Sequence, residues 1–428
     1  MFSLKSLTFR AVFLGFLVVS GVLAGLSAQG QSPPATQPAA ARMDPALARD
    51  WMTRWEKNIL GDMKNRYCDK ETGEEIGWLV SPFLNGFCHG YMATHDTKWI
   101  DLEADWADSV VKRAVKEPDG YLGWPKAAGA STGSVDDFYT DNELGDAMFC
   151  RPLVLLAGEI NKTPALKARY GAKAYEWLKL SAQMFEKWNA RGAWREAPDV
   201  PGGGLWVVPE FGIDQKSGNF TAGYAKKGVE GFSLPDNKQN IIAMWLVTMG
   251  DVMKKPVYTE RAEKWWRVMK SRMKMRAVGT AKYFVWNYWD QGGPWDKKPN
   301  GDLKHWVGVH PNGGYYGVDL EGIVTAYEHG LVFTREDIDR LIATNRDFMW
   351  NQQIKGAKFQ RIDGGAPDAR WKGSPGVLWE ALTPYDETLR KVFEANHDPS
   401  GWAGLSVTPE YVARFGRAAG FGGPETGP

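Results

Sequence analysis

From about Pro45 onward, apolar residues recur at helical spacing and are separated by short polar turns. Trp51, Trp55, Ile59 and Leu60 form the first such stripe, which predicts a helix over residues 46–65. The same periodicity predicts helices over 86–95, 101–116, 142–161, 164–189, 237–253 and 259–276. Further helices are predicted over 319–330, 335–351, 376–396 and 409–419. The turns Asn161-Lys-Thr-Pro and Lys254-Lys-Pro-Val join neighbouring helices directly, and Thr334-Arg-Glu-Asp is a helix start with acidic residues in its first turn.

Two long aromatic stretches, 194–232 and 283–316, interrupt the helices. Loops this long in a compact domain are usually functional. Short strands are expected within them at 205–208 and 283–289. Neither a glycine-rich nucleotide fingerprint nor a βαβ alternation is present. Paired helices with long loops gathered at one end predict an all-α fold, an (α/α)n toroid of six or seven helical hairpins. No break in composition divides residues 45–428, so they read as one domain.

The N-terminus follows a different pattern. Lys5 and Arg10 precede an apolar run from Ala11 to Leu26, and Ser27-Ala28 offers a small-residue cleavage site. Residues 1–28 therefore read as a signal peptide and 29–44, rich in Pro, Gln and Ala, as a disordered linker. The run is short for a membrane span. A secreted or periplasmic protein without a membrane span is expected, and a monomer. Without Lys5 and Arg10 the chain carries 50 basic against 51 acidic residues, which lacks the footprint of a nucleic-acid binder. Cys68, Cys88 and Cys150 allow one disulfide, Cys68–Cys88 being the nearer pair, or three buried thiols.

The 21 tryptophans change the picture. Trp194, Trp206, Trp289 and Trp306 lie among polar residues, where flat rings suit stacking on sugars as well as filling a core. Within 305–317, His305, His310, Tyr315 and Tyr316 accompany Gly313 and Gly314 in a segment read as a loop leading into a helix. A polar helix entry, Ser233-Leu-Pro-Asp-Asn-Lys-Gln-Asn, carries Asn237 and Asn240 three residues apart. Amides of this kind can donate hydrogen bonds to a carboxylate. Asp137, Tyr139, Asp141 and Glu143 form an acidic helix entry, which caps a helix or contacts hydroxyls. His89 stands at another helix start. Arg191, Arg195, Arg361 and Arg370 lie in or beside the loops, and guanidinium groups match carboxylates.

An Asn-bearing helix entry followed by a His…Gly-x-Tyr-Gly loop resembles the toroidal polysaccharide lyases. The runs EEIGWLVSPFLNGF, EPDGYLGWPK and HWVGVHPNGGYYG are most similar to polysaccharide lyase family 38, which acts on glucuronan or alginate. The resemblance implies β-elimination of a 4-linked uronic-acid polymer. It assigns Tyr316 as acid/base with Tyr315 as the alternative, and His310 as helper. Asn237, with Asn240, would neutralise the carboxylate at C5. His305, His89, Arg191, Arg195, Arg361, Tyr139, Asp137 and the four tryptophans would bind substrate. The family's arginine has no counterpart close to the Tyr in this sequence. No cofactor is required; a structural cation such as calcium is left open.

That chemistry suits the residue types. The C5 proton is weakly acidic while the adjacent carboxylate is charged, so donors aimed at the carboxylate stabilise the developing enolate. A phenol then serves as base and returns the proton to O4. Two other readings remain. A glycoside hydrolase would need two carboxylates, about 5–5.5 Å or 6.5–9.5 Å apart. Asp137, Asp141, Glu143, Asp290, Asp319 and Glu380 are its candidates. A non-catalytic glycan-binding protein would use the rings alone.

Overall fold

The computed structural model describes residues 42–127, 138–209, 211–214, 220–222, 231–279, 281–368 and 373–416. Among them are eleven α-helices joined by loops and short strands. Helix α1 (Pro45–Asp62) is capped by the Asp44 carboxylate, which accepts the Ala46 and Leu47 N–H groups. It is followed by α2 (Ser81–Thr94), α3 (Lys98–Lys112), α4 (Glu143–Lys162) and α5 (Pro164–Ala190). Then come α6 (Asp236–Met253), α7 (Pro256–Arg272) and α8 (Gly314–Glu328). The chain closes with α9 (Arg335–Ala343), α10 (Glu387–Asn396) and α11 (Gly404–Phe415).

Successive helices pack as hairpins, α2 on α3, α4 on α5 and α6 on α7. The first members of these pairs, α2, α4 and α6, also pack on one another in a row that α11 extends beside α2 and α8 beside α6. Burial separates the two sets. Helix α6 buries 12 of its 18 residues, polar ones included. Helix α7 buries 6 of 17, among them Trp265, Trp266 and Met269 on one face. A helix buried all round lies inside, and one with a single apolar stripe covers it. The aromatic core follows this layering, with Trp55, Trp99, Trp106, Trp245, Trp265 and Trp266 at most 1% exposed.

The expected elements recur with shifted ends. Helix α8 begins at Gly314, so Tyr315 and Tyr316 lie in its first turn and not in the preceding loop. The region read as one helix over 376–396 is a short turn at Glu380–Leu382 followed by α10, because Pro384 cannot continue the first segment. Helix α7 stops at Arg272, and Lys274–Val278 pairs antiparallel with Ala281–Val285. Thr334 and Asp337 form the reciprocal cap expected at the start of α9. Gly204–Trp206 pairs with Trp194–Glu196. Phe138–Thr140 joins a four-stranded sheet with Lys126–Ala127, Phe211–Asp214 and Phe220–Ala222. Cys68, Cys88 and Cys150 are all free, buried thiols, so the Cys68–Cys88 pair is not formed. The segment read as a signal peptide, and most of that read as a linker, lie outside the described residues. No described helix is long and apolar enough to cross a membrane.

Candidate active site

Three segments meet at the N-terminal ends of α6 and α8. The Asp236 N–H donates to the Tyr288 carbonyl at 3.0 Å, which ties the 283–289 segment to the mouth of α6. The Tyr288 N–H in turn donates to the Gly308 carbonyl at 2.8 Å, bringing in the histidine loop. Gly313, just before α8, donates to the Ser374 carbonyl at 2.8 Å. A Cβ at Gly313 would lie 2.5 Å from the Gly376 Cα, so only glycine permits this approach.

The result is a cleft of about 810 Å³. Asn237, His310, Tyr315 and Arg361 line it together with Trp289 and Trp306. Trp78, Tyr288, Glu74, Lys238 and Asp368 complete its walls. Tyr288 stacks on Trp306 with ring centres 5.6 Å apart, and lies 5.0 Å from Tyr315 and 4.7 Å from His310. The His310 and Tyr315 rings meet edge to face at 4.6 Å. Trp306 is 46% exposed, open to a passing ligand.

Each polar group has a distinct electrostatic state. His310 Nδ1 accepts the Asn312 N–H at 2.9 Å, so the neutral ring carries its proton on Nε2 and acts there as a donor. Burial lowers the pKa of His310, which favours that neutral form. Asn237 is 1% exposed, and its Oδ1 has no hydrogen-bond partner among the described residues. A buried amide oxygen without a partner is costly, and here the amide lines a cleft. Lys238 Nζ reaches both Glu74 oxygens at 2.8 and 2.9 Å. Burial raises the Glu74 pKa, but the Lys238 charge outweighs it and keeps the carboxylate ionised. Glu74 also accepts from Trp78 Nε1 at 3.0 Å and Asn142 Nδ2 at 3.2 Å. Arg361 is held by Asp363, with Nε to Oδ1 at 2.9 Å. Burial raises the pKa of Tyr288, so that phenol stays protonated.

Several expected residues sit elsewhere. Tyr316 is outside the lining, 2% exposed, and its hydroxyl accepts the His310 N–H at 3.0 Å. Burial holds its pKa well above the usual phenol range. Asn240 is 0% exposed and turned into the core. Its Oδ1 accepts from Trp265 and Trp266 at 3.1 and 3.0 Å, while its Nδ2 donates to Asp319 at 2.9 Å. A three-residue spacing leaves Asn240 on nearly the same side of α6 as Asn237, but one turn deeper, where the side chains of α7 and α8 claim it. His305 lies behind Trp289, parallel to it at 4.2 Å, and 3.4 Å from Asp296. It supports a cleft wall. His89 lines a different cavity.

Arg191 is buried between Glu117 and Asp119 at 2.7 and 2.8 Å. Arg195 donates to the carbonyls of Gly192 and Trp194, closing a turn. Trp194 and Trp206 pack edge to face at 4.8 Å, with Arg261 over the Trp194 ring, away from the cleft. Tyr139 lies in the Phe138–Thr140 strand, and Asp137 and Arg370 fall outside the described residues.

The hydrolase candidates are likewise dispersed. Asp141 pairs with Lys187, Asp319 with Trp286 and Asn240, and Glu380 lines the second cavity. Glu143 is 7% exposed, and burial raises its pKa well above the usual carboxylate value. Asp290 accepts from Asn287. None of these five lines the cleft, whose carboxylates are Glu74 and Asp368. Among the described residues no group of three or more His, Cys, Asp or Glu could hold a metal ion.

Glu74, Lys238 and Tyr288 were not anticipated as site residues. Lys238 adjoins Asn237 and Tyr288 lies in the aromatic stretch, so both carried a local signal. Glu74 had none, because only the fold brings it to α6. No protein-family model matches the chain, nor does any curated protein.

Proposed function

We propose that the protein is a polysaccharide lyase that cleaves a 4-linked uronic-acid polymer, such as glucuronan or alginate, by β-elimination on an α/α toroid. The observation that carries this reading is the convergence of Asn237, His310, Tyr315 and Arg361 in one aromatic cleft. Asn237 and the Nε2–H of His310 would hydrogen-bond the C5 carboxylate and stabilise the enolate as C5 loses its proton. Both are neutral donors, so neither depends on a proton supplied by the medium.

The acid/base moves from Tyr316 to Tyr315 in this reading. Tyr316 spends its hydroxyl on the His310 backbone and fixes that loop. Tyr315, one residue earlier in the same turn, reaches the cleft and the His310 ring. Its phenol would take the C5 proton and return it to O4 of the leaving sugar. Arg361 supplies the cation that the sequence left unassigned, its fork oriented by Asp363. Trp289, Trp306 and Tyr288 offer flat faces for neighbouring sugar rings.

Incubation with glucuronan, polymannuronate, polyguluronate and chondroitin tests the reading. Elimination creates a conjugated C4–C5 double bond that absorbs in the ultraviolet, so absorbance should rise on one member of the panel. Reducing ends accumulating without absorbance would reject elimination in favour of hydrolysis.

A further inference from the structure

Asp319 has no part in the chemistry described so far, yet it ties together the three segments that build the cleft. It lies on α8 with no exposed surface. Its Oδ2 accepts the Trp286 indole N–H at 3.0 Å, and its Oδ1 accepts an Asn240 Nδ2–H at 2.9 Å. Burial raises its pKa to about 7, so at pH 8 the ionised form predominates and accepts from both donors.

Each end of this bridge stands one step behind a residue of the cleft. Asp319 follows Tyr315 by four residues, one turn along the same face of α8. Asn240 is one turn deeper in α6 than Asn237. Trp286 precedes Tyr288 by two residues, in the segment whose backbone meets the mouth of α6. Hydrogen bonds to a carboxylate are short and strong, so Asp319 fixes how far apart these three segments stand. Two further contacts close the frame. The Trp286 ring meets the Tyr316 ring edge to face at 5.5 Å. A Cβ at Gly322 would lie 2.8 Å from the Asn240 Cβ, so α6 and α8 approach here as only glycine permits.

We propose that Asp319 is a positioning residue of the cleft, holding the first turns of α6 and α8 and the 286–288 segment at the spacing that sets the Tyr315 phenol against His310 and Asn237. Its effect on rate rests on the elimination reading above. Asp319 does not line the cleft, so it acts through Asn240 and Trp286 and not on substrate. Misplacing a reacting group by about 1 Å costs about 10²-fold in rate. Arg361 and Trp289 are held by other partners, Asp363 and the Ser233 carbonyl. Substrate binding through them survives, so the loss falls on kcat and spares KM.

Two substitutions in the full chain test this. Asp319→Asn keeps the shape but offers one acceptor oxygen and an NH2 group, so one of the two donors meets another donor. Trp286→Phe removes one donor and keeps a ring beside Tyr316. Steady-state kinetics at pH 8 on the preferred uronan, per folded molecule as counted by circular dichroism, should show kcat lowered about tenfold or more and KM within about twofold of wild type. Nuclear magnetic resonance of the six histidines gives a readout that needs no turnover. The His310 ring lies 4.6 Å from that of Tyr315, so its signal should shift in both variants. Those of His329 and His397, which pack elsewhere, should stay in place. A merely structural Asp319 would lower the unfolding temperature and leave kcat and the His310 signal as in wild type. Unchanged kcat in both variants, or an unmoved His310 signal in both, would overturn the proposal. If Asp319→Asn does not fold, Trp286→Phe decides by the same two readouts. A shifted His310 signal in a protein whose wild type eliminates none of the uronans would reject elimination and leave the positioning role standing.

Discussion

Asn240 separates a structural from a catalytic role at the α6 entry. Its side chain satisfies Trp265 Nε1, Trp266 Nε1 and Asp319 Oδ1 at 2.9–3.1 Å, all in the core. Asn240→Leu keeps the approximate volume but orphans all three groups. Each orphaned buried group costs about 1–3 kcal/mol, so a loss of about 3–6 kcal/mol is expected if the core relaxes partly. The loss should depend on pH. Burial pushes Asp319 up to about 7, against the hydrogen bonds from Trp286 and Asn240 that favour its charged form. A carboxyl whose pKa is raised on folding contributes stability below its unfolded value near 4, and that contribution is lost as pH rises through the folded value. Removing the Asn240 donor raises the folded value further. The variant should therefore be hurt less at pH 5, where Asp319 is protonated in both proteins, than at pH 8. Urea unfolding at the two pH values measures this. A loss below about 1 kcal/mol, or weaker substrate binding at unchanged stability, would refute the structural assignment and return Asn240 to the cleft.

Other consequences follow from the same packing. Lys187 is 0% exposed and sits 2.6 Å from Asp146 and beside Asp141. Lys187→Met should cost about 3–5 kcal/mol in a denaturant titration, because it leaves uncompensated buried carboxylates. Burial and Asp141 push Asp146 up to about 7 even with Lys187 in place, so this deficit too should be smaller at pH 5 than at pH 8. Gly313→Ala should cost about 1–3 kcal/mol by thermal unfolding and lower activity, since the new Cβ meets the Gly376 backbone and displaces the first turn of α8. Because burial lowers the His310 pKa, loss of activity through His310 protonation should begin only below its ordinary value near 6.5. A pH–rate profile whose acidic limb lies above 6.5 would contradict that role.

The helices were legible because helical periodicity and turn signals act locally. Thr334 and Asp337 cap α9 as their spacing dictates, and α5 starts at Pro164 as expected. What periodicity could not read was depth and direction. Asn237 and Asn240 share one helix entry, yet one faces the cleft and the other, one turn deeper, anchors two tryptophans, a distinction set by the packing of α7. Tyr315 and Tyr316 differ likewise by one helical step, about 100° around the axis. The arginines misled for a related reason. Arg191 looked available in a loop, but Glu117 and Asp119, more than 70 residues away in sequence, claim it. The Glu74–Lys238 pair spans 164 positions and left no local trace.

The most direct test of the central claim is the initial rate of ultraviolet absorbance on the preferred uronan for wild type, Tyr315→Phe and Tyr316→Phe. Tyr315→Phe should bring the rate to background with a wild-type fold. Tyr316→Phe should retain measurable elimination and lose stability, because its hydroxyl serves the His310 backbone. Tyr315→Phe turning over at the wild-type rate would contradict the account.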